Sequence, residues 1–213
     1  MGRTIVIGDI HGCYDELNEL LNKLALLPED RVIAVGDLTV KGPKNRAVLD
    51  LFLTDPRFSS VIGNQDLALV RHWRGENSKL KSAQAKAFTE LKTDDDRYLR
   101  YLASLPLMIN LDSHVVVHAG LRPGIALDEQ SADDLTELRT LGDDRTSREG
   151  TPWYEVYEGP TTAFFGHWPA SKPRVAKCAI GLDTGCVYGG QLTAYVIETS
   201  DFVSVDAAAA YSP

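Results

Sequence analysis

The chain has 213 residues, 44% of them hydrophobic, and a formal net charge of −8 with a pI near 5.1. That is enough apolar material to bury one substantial core, and too much negative charge for a broad nucleic-acid or anionic-membrane footprint. No stretch approaches the roughly 20 apolar residues of a membrane span, and the apolar run at 4–10 is too short, and wrongly flanked, for a secretory signal.

Residues 4–7 are a short β-branched run ending at Gly8, which reads as a buried strand. Leu17, Leu20, Leu21, Leu24 and Leu27 then recur at helical spacing and predict an amphipathic helix over 15–27, stopped by Pro28. A second strand is expected at 31–35 and a second helix at 44–53, with Pro43 near its start. A third strand at 60–62 runs into the turn GNQD. Residues 67–103 carry charges and no β-branched run, and are expected to form a helical insert or cap. Beyond Pro106 the pattern changes to short strands, at 115–117, 163–165, 179–182, 192–197 and 202–205. One helix is expected at 132–139, followed by a polar, Gly-bounded loop to 151. The alanines at 207–210 suggest a helical turn or tail. Helix–strand alternation followed by a strand-rich half predicts an α/β fold in one domain over 1–213, with a central sandwich of mixed sheets flanked by helices. In such folds ligands gather at the carboxyl ends of the strands.

Gly-anchored turns fall at those ends: GDIHG at 8–12, GDLTVKGP at 36–43, GNQD at 63–66, HAGL at 118–121 and FGHW at 165–168. Each presents Asp, Asn or His after an apolar run. Carboxylate, amide oxygen and imidazole are the ligands that hard and borderline divalent cations take, and this many on adjacent loops suits a two-metal site. Taken singly, each residue has a structural explanation, as a turn former or a satisfied core histidine. His72 and His114 fit no such motif. Trp73, Trp153 and Trp168 could stack on a base, with core packing the ordinary role. Cys13, Cys178 and Cys186 are odd in number and lack metal-ligand spacing, which suits reduced thiols in a cytoplasmic protein.

With DTGCVYGG at 183–190, the motifs resemble, in order and over residues 5–197, the calcineurin-like metallophosphoesterases of the phosphoprotein-phosphatase type. FGHW with DTGCVYGGQLT is similar to symmetrical diadenosine tetraphosphatases. HAGLRPG, with the acidic helix ending in Arg139, is similar to small bacterial serine/threonine protein phosphatases. The resemblance implies a four-layer αββα fold and two divalent ions, Mn2+ first, with Fe, Zn or Co as alternatives. It implies Asp9 and His11 as ligands of the first metal, Asp37 as the bridging carboxylate, and Asn64, His118 and His167 as ligands of the second. It further implies phosphohydrolysis by a metal-bridging hydroxide on a phosphorylated small molecule or nucleotide, or on a phosphoprotein, with no nucleic acid or membrane as partner. Lys41 and Arg139 are the expected contacts to phosphoryl oxygens, and Arg122 is a further candidate.

Three positions depart from the family pattern. Members usually carry GNH[ED], whose His protonates the leaving oxygen, and GDxxDRG, whose Asp orients that His. Here the corresponding residues are Gln65, Val40 and Lys41. A glutamine amide donates a hydrogen bond but has no proton to give near neutral pH. Loss of a general acid hurts ester cleavage more than anhydride cleavage, because a nucleotide leaving group is the stronger acid. Gln65, in the catalytic position with Asp37, therefore tilts the expected substrate toward dinucleoside polyphosphates. A serine/threonine phosphatase, an impaired variant (natural or engineered) and a degenerate binding module stay open as alternatives. The basic and aromatic stretch holding Arg71, His72, Trp73, Arg74, Lys79 and Lys81 is expected either to overhang the site or to form a solvated helix face.

Overall fold

The computed structural model describes residues 2–76 and 79–212. In chain order the elements of the first half are β1 (Thr4–Ile7), α1 (Tyr14–Leu24), β2 (Arg31–Ala34), α2 (Asn45–Thr54), β3 (Phe58–Ser60), α3 (Asn64–Trp73), α4 (Ser82–Leu91) and α5 (Arg97–Ser104). The second half holds β4 (Met108–Asn110), β5 (His114–Val117), α6 (Ala132–Glu137), β6 (Thr140–Leu141), β7 (Thr151–Pro152), α7 (Trp153–Val156), β8 (Thr162–Phe165), β9 (Arg174–Val175), β10 (Ala179–Gly181), β11 (Gln191–Val196) and β12 (Asp201–Asp206). A single 3-10 turn lies at Leu127–Glu129.

Two five-stranded sheets form the centre, in the orders β12-β11-β1-β2-β3 and β4-β5-β8-β10-β9. Side chains alternate across each strand, and both faces of the central strands are apolar. Val6, Ile33, Val35 and Val61 of one sheet meet Val116, Phe164, Ile180 and Leu182 of the other between the layers. Ile5, Ile7, Val32 and Ala34 point the opposite way, into a core completed by Leu17 and Leu20 of α1 and Val48, Leu49 and Phe52 of α2. On the far side Val115, Val117, Ala163 and Phe165 pack with Leu135, Leu138, Trp153 and Tyr157. The layers are therefore helix, sheet, sheet, helix, as the near-continuous apolar strands demand.

Within residues 67–103, Leu69, Val70, Ala87, Leu91, Tyr98 and Leu99 join the same core as α1 and α2. α1 ends at Leu24 because Ala25 takes a left-handed conformation, three residues before Pro28. β3 lies two residues earlier than the apolar run suggested, so that 61–63 leave the sheet toward the strand ends. α6 stops at Glu137, which leaves Arg139 outside the helix. The 207–210 alanines form no helix; Ala210 bridges to Tyr188. β4, β6, β7 and β9 are two or three residues long, too short for an alternation signal to develop. Among the described residues no helix is long and apolar enough to cross a membrane.

Candidate active site

β1, β2 and β3 run parallel, as do β5, β8 and β10, so their carboxyl ends share an edge within each sheet. The turns leaving them bring together the side chains singled out by sequence. Two glycines make the approach possible: a Cβ on Gly63 would collide with the Asp37 carboxylate, and one on Gly166 with that of Asp9. His11 (φ 49°), Asp37 (48°) and His167 (65°) adopt left-handed backbone, as do Val40 and Lys41 at 73° each. Strain of this kind in non-glycine residues costs roughly 1–3 kcal/mol apiece and clusters at functional sites.

Each histidine is aimed by a backbone carbonyl. His11 Nδ1 lies 3.0 Å from Thr39 O, and His118 Nδ1 lies 2.9 Å from Val35 O. The His167 ring is held by the Glu137 carbonyl. A carbonyl only accepts, so these nitrogens carry the proton and Nε2 presents a lone pair. His11 Nε2 is 3.6 Å from Asp37 Oδ2 and 4.0 Å from Asp9 Oδ2. His118 Nε2 is 3.6 Å from Asp37 Oδ1 and 3.2 Å from Asn64 Oδ1. His167 Nε2 is buried with no hydrogen-bond partner, while its backbone N–H donates to both Asp9 oxygens at 3.1 Å.

Burial pushes the Asp9 and Asp37 carboxyls up and the His11, His118 and His167 imidazoles down. Dry carboxylates beside free imidazole lone pairs are what a divalent cation stabilises. One ligand atom each from Asp9, Asp37 and His118 lies within 4.8 Å of the others. An oxygen and nitrogen set with an orphaned buried imidazole nitrogen fits the divalent ions that the sequence resemblance implies.

Two carboxylates without a sequence-assigned role support this set. Asp66, fully buried, accepts from Leu38 N (2.9 Å), Thr39 N (3.1 Å) and Thr39 Oγ1 (2.6 Å), which fixes the turn carrying Asp37. Asp183 accepts from Gly185 N at 3.0 Å and faces the same space. Both lie inside motifs quoted from the sequence, and their position next to apolar strand ends was the available signal.

Above these groups opens a cavity of about 690 Å3. Asp9, His11, Asp37, Lys41, Asn64, Gln65, Arg139 and His167 line it, and His118 lies beneath, fully buried. Lys41 Nζ is 3.2 Å from His11 Nε2 and 5.2 Å from the Tyr188 ring centroid. Burial disfavours the Lys41 ammonium, but Asp37, Tyr188 and Asp9 outweigh it and keep the charge. Arg139, Arg148 and Tyr188 line the same cavity. Arg139 donates through Nη1 to Thr146 O at 2.9 Å, while its Nε is buried without a partner. Burial, then the neighbouring Arg148 charge, lowers its pKa. Among the described residues neither guanidinium has a carboxylate within 4.0 Å.

Other candidates lie elsewhere. Arg122 forks onto Asp134, with Nε and Nη2 at 3.1 and 2.9 Å. Arg71 reaches toward Asp133 at 3.9 Å, and neither it nor Arg74 lines the cavity, so the basic stretch of α3 does not overhang these groups. Trp153 is a core residue whose Nε1 donates to Ala119 O, and Trp73 donates to Asp96. His72 packs on Phe88 and His114 on Phe164.

Residues 2–204 match the family model described as calcineurin-like phosphoesterase. Among curated proteins the chain is similar to an asymmetrical bis(5'-nucleosyl)-tetraphosphatase of Halalkalibacterium halodurans, 32% identical over 94% of this chain and 92% of that one. A symmetrical bis(5'-nucleosyl)-tetraphosphatase of Janthinobacterium is 30% identical over 90% and 91% of the two chains. A crystal structure of a candidate diadenosine tetraphosphatase superposes with a TM-score of 0.85 at 34% identity, covering 96% of this chain and 93% of that one. A metallophosphoesterase of Sphaerobacter thermophilus, 17% identical over 96% and 87% of the two chains, shares the fold with a TM-score of 0.60. A match over nearly the whole length, with motifs on the strand ends where the cavity opens, makes the chain a member of the calcineurin-like phosphoesterases.

Proposed function

We propose that the protein is a two-metal phosphohydrolase that cleaves the phosphoanhydride chain of dinucleoside polyphosphates. The observation that carries this reading is the make-up of the cavity: a floor of candidate cation-binding donors and, lining the same space, two guanidiniums that have no carboxylate partner among the described residues. In a chain of net charge −8, unpaired arginines side by side suit a polyanion longer than one phosphoryl group. A volume of about 690 Å3 falls within the roughly 300–1,000 Å3 of small-molecule ligand pockets. The names of the relatives support the same substrate class.

In this reading Asp9, His11, Asp37, Asn64, His118 and His167 would hold the cations. When bound, such a pair supplies an activated water and charge neutralisation at phosphorus. The chain's own residues bind and orient. Lys41 meets a non-transferred oxygen as a point charge, without the fork an arginine would offer. Arg139 and Arg148 hold further phosphate oxygens. Gln65, beside Asn64, donates to the leaving oxygen without transferring a proton. That suffices for a nucleotide leaving group better than for an alkoxide. Free Cys13, Cys178 and Cys186 suit a cytoplasmic setting.

Turnover of Mn2+-loaded protein against diadenosine tetraphosphate, a nucleoside triphosphate, a phosphopeptide and an aryl phosphate tests the assignment. The dinucleotide is expected to have the highest kcat/KM. Two nucleoside diphosphates as products indicate symmetrical cleavage, and a triphosphate with a monophosphate indicates asymmetrical cleavage. Preference for the phosphopeptide would replace this reading with that of a protein phosphatase.

A further inference from the structure

An amide side chain has two ends of opposite hydrogen-bonding character, and Gln65 borders the cavity next to Asn64 and Asp37. A contact made away from the cavity determines which end faces inward. The Lys81 backbone N–H can only donate, and it donates to Gln84 Oε1 at 2.9 Å. With its oxygen engaged there, Gln84 turns its NH2 group the other way, and Nε2 donates to Gln65 Oε1 at 3.0 Å. Gln65 thus spends its acceptor on Gln84, and its own NH2 is the end left for the cavity. Gln84 lies in the first turn of α4 and is 7% exposed, so water competes little for either bond.

We propose that Gln84 is a positioning residue that sets the polarity of Gln65, so that a donor rather than an acceptor meets the leaving-group oxygen. The inference rests on the phosphohydrolase reading above. Negative charge grows on the leaving oxygen as the bond to phosphorus breaks. An NH2 group stabilises that charge, whereas a carbonyl oxygen in its place repels it. In related enzymes the corresponding side chain is a histidine oriented by an aspartate from the second motif. Here that position is Val40, fully buried and without a polar group, and the orientation comes instead from α4.

The test is a pair of near-isosteric variants. In Gln84→Glu the carboxylate can still accept from Lys81 N–H, but it demands a donor from Gln65 and so turns the Gln65 carbonyl toward the cavity. In Gln84→Met the orienting bond is lost and either Gln65 rotamer is free. Turnover is measured on a series of aryl and alkyl phosphates with leaving groups of decreasing acidity. Losing a hydrogen bond to a charged group costs about tenfold or more in rate. Gln84→Glu is expected to lower kcat about tenfold for the least acidic leaving groups, and less than about twofold for the most acidic. Gln84→Met is expected to fall between Gln84→Glu and the parent. In a Gln65→Ala background Gln84→Glu is expected to add nothing further. Equal losses across the series would overturn the proposal, as would a full Gln84→Glu effect in the Gln65→Ala background. Thermal melting of each variant separates lost orientation from lost fold. The Gln65→Ala comparison holds even if both Gln84 variants are less stable. Because this series contains no dinucleotide, failure to cleave dinucleoside polyphosphates would defeat the substrate reading alone.

Discussion

The floor and the rim of the cavity are built on opposite plans. On the floor the candidate cation ligands other than half-buried Asn64 are buried and fixed by a second group: carbonyls hold His11, His118 and His167, backbone N–H groups hold Asp9 and Asp37, and Asp66 locks the turn beneath. On the rim Arg148 and Tyr188 are exposed, and Arg139 is pinned by one bond with its Nε left over. The floor is prepaid in folding, through strained backbone and desolvated carboxyls, and its geometry is ready before substrate arrives. The rim is left incomplete, and in the proposed reading phosphate oxygens would supply the missing partners. In the proposed reading, reaction and specificity are separable, one carried by strand ends and the other by loops.

Substitutions in the floor and in the rim should therefore fail differently. The largest effect is expected from Asp37→Asn, which removes the carboxylate facing both His11 and His118. Activity should fall by more than the roughly 10–100-fold typical of a supporting group, for aryl phosphate and dinucleotide alike, with an unchanged circular dichroism spectrum. Asp66→Asn comes next. One of its three donors, at Leu38 N, Thr39 N or Thr39 Oγ1, must then face an NH2 group. A loss of about 10–100-fold in metal affinity is expected by isothermal titration. A smaller loss than that from Arg148→Ala would remove the distinction between floor and rim.

Arg148→Ala should raise KM for diadenosine tetraphosphate about tenfold, the scale of one hydrogen bond to a charged group. The ratio of kcat/KM for dinucleotide over aryl phosphate should fall by the same factor, and steady-state kinetics on both substrates reads it. Equal loss on both would place Arg148 with the floor. The smallest effect lies outside the cavity. Asp30 is buried and accepts from Arg3 N–H (2.8 Å), Leu27 N–H (2.9 Å) and the Arg3 guanidinium, which holds its carboxyl well below the usual range. A depressed folded pKa contributes stability above the unfolded value and loses it as pH falls below about 4. Asp30→Ala is therefore expected to cost about 1–3 kcal/mol in urea unfolding at pH 7, with the gap to the parent narrowing below about pH 4 and kcat unchanged.

The same division governs what was legible in the sequence. Floor residues sit on Gly-anchored turns shortly after apolar strand runs, and those turns carry the family resemblance, so Asp9, His11, Asp37, Asn64, His118 and His167 could be named as candidate ligands from sequence. The layered fold was legible for the same reason, since strands buried on both faces read as apolar runs. Asp66 and Asp183 lay within the motifs, but a carboxylate that holds a turn has the same letter as one that faces a cation. Arg148 and Gln84 had no such signal. Gln84 acts through a contact with Gln65, nineteen positions away, that only the packing of α4 creates. Arg71 and Arg74 carried the opposite lesson, because a basic helical stretch looks the same whether it faces a ligand or solvent. The short strands β4, β6, β7 and β9 exist because a neighbour offers a hydrogen-bonding edge.

β1 stands in the middle of its sheet, between β2 and β11, with Val6 opposite Tyr195. The strand that precedes the GDIHG turn is therefore completed by one made almost two hundred residues later. Likewise the carboxylate of Asp9 is satisfied by the N–H of His167, 158 positions away. Contacts this distant form late, after the cost of closing long loops has been met. A growing chain can hold the GDIHG turn for most of its synthesis without a competent centre. Chemistry switches on only when the two halves of the sandwich close, so an incomplete or misfolded copy is a poor hydrolase rather than an unregulated one.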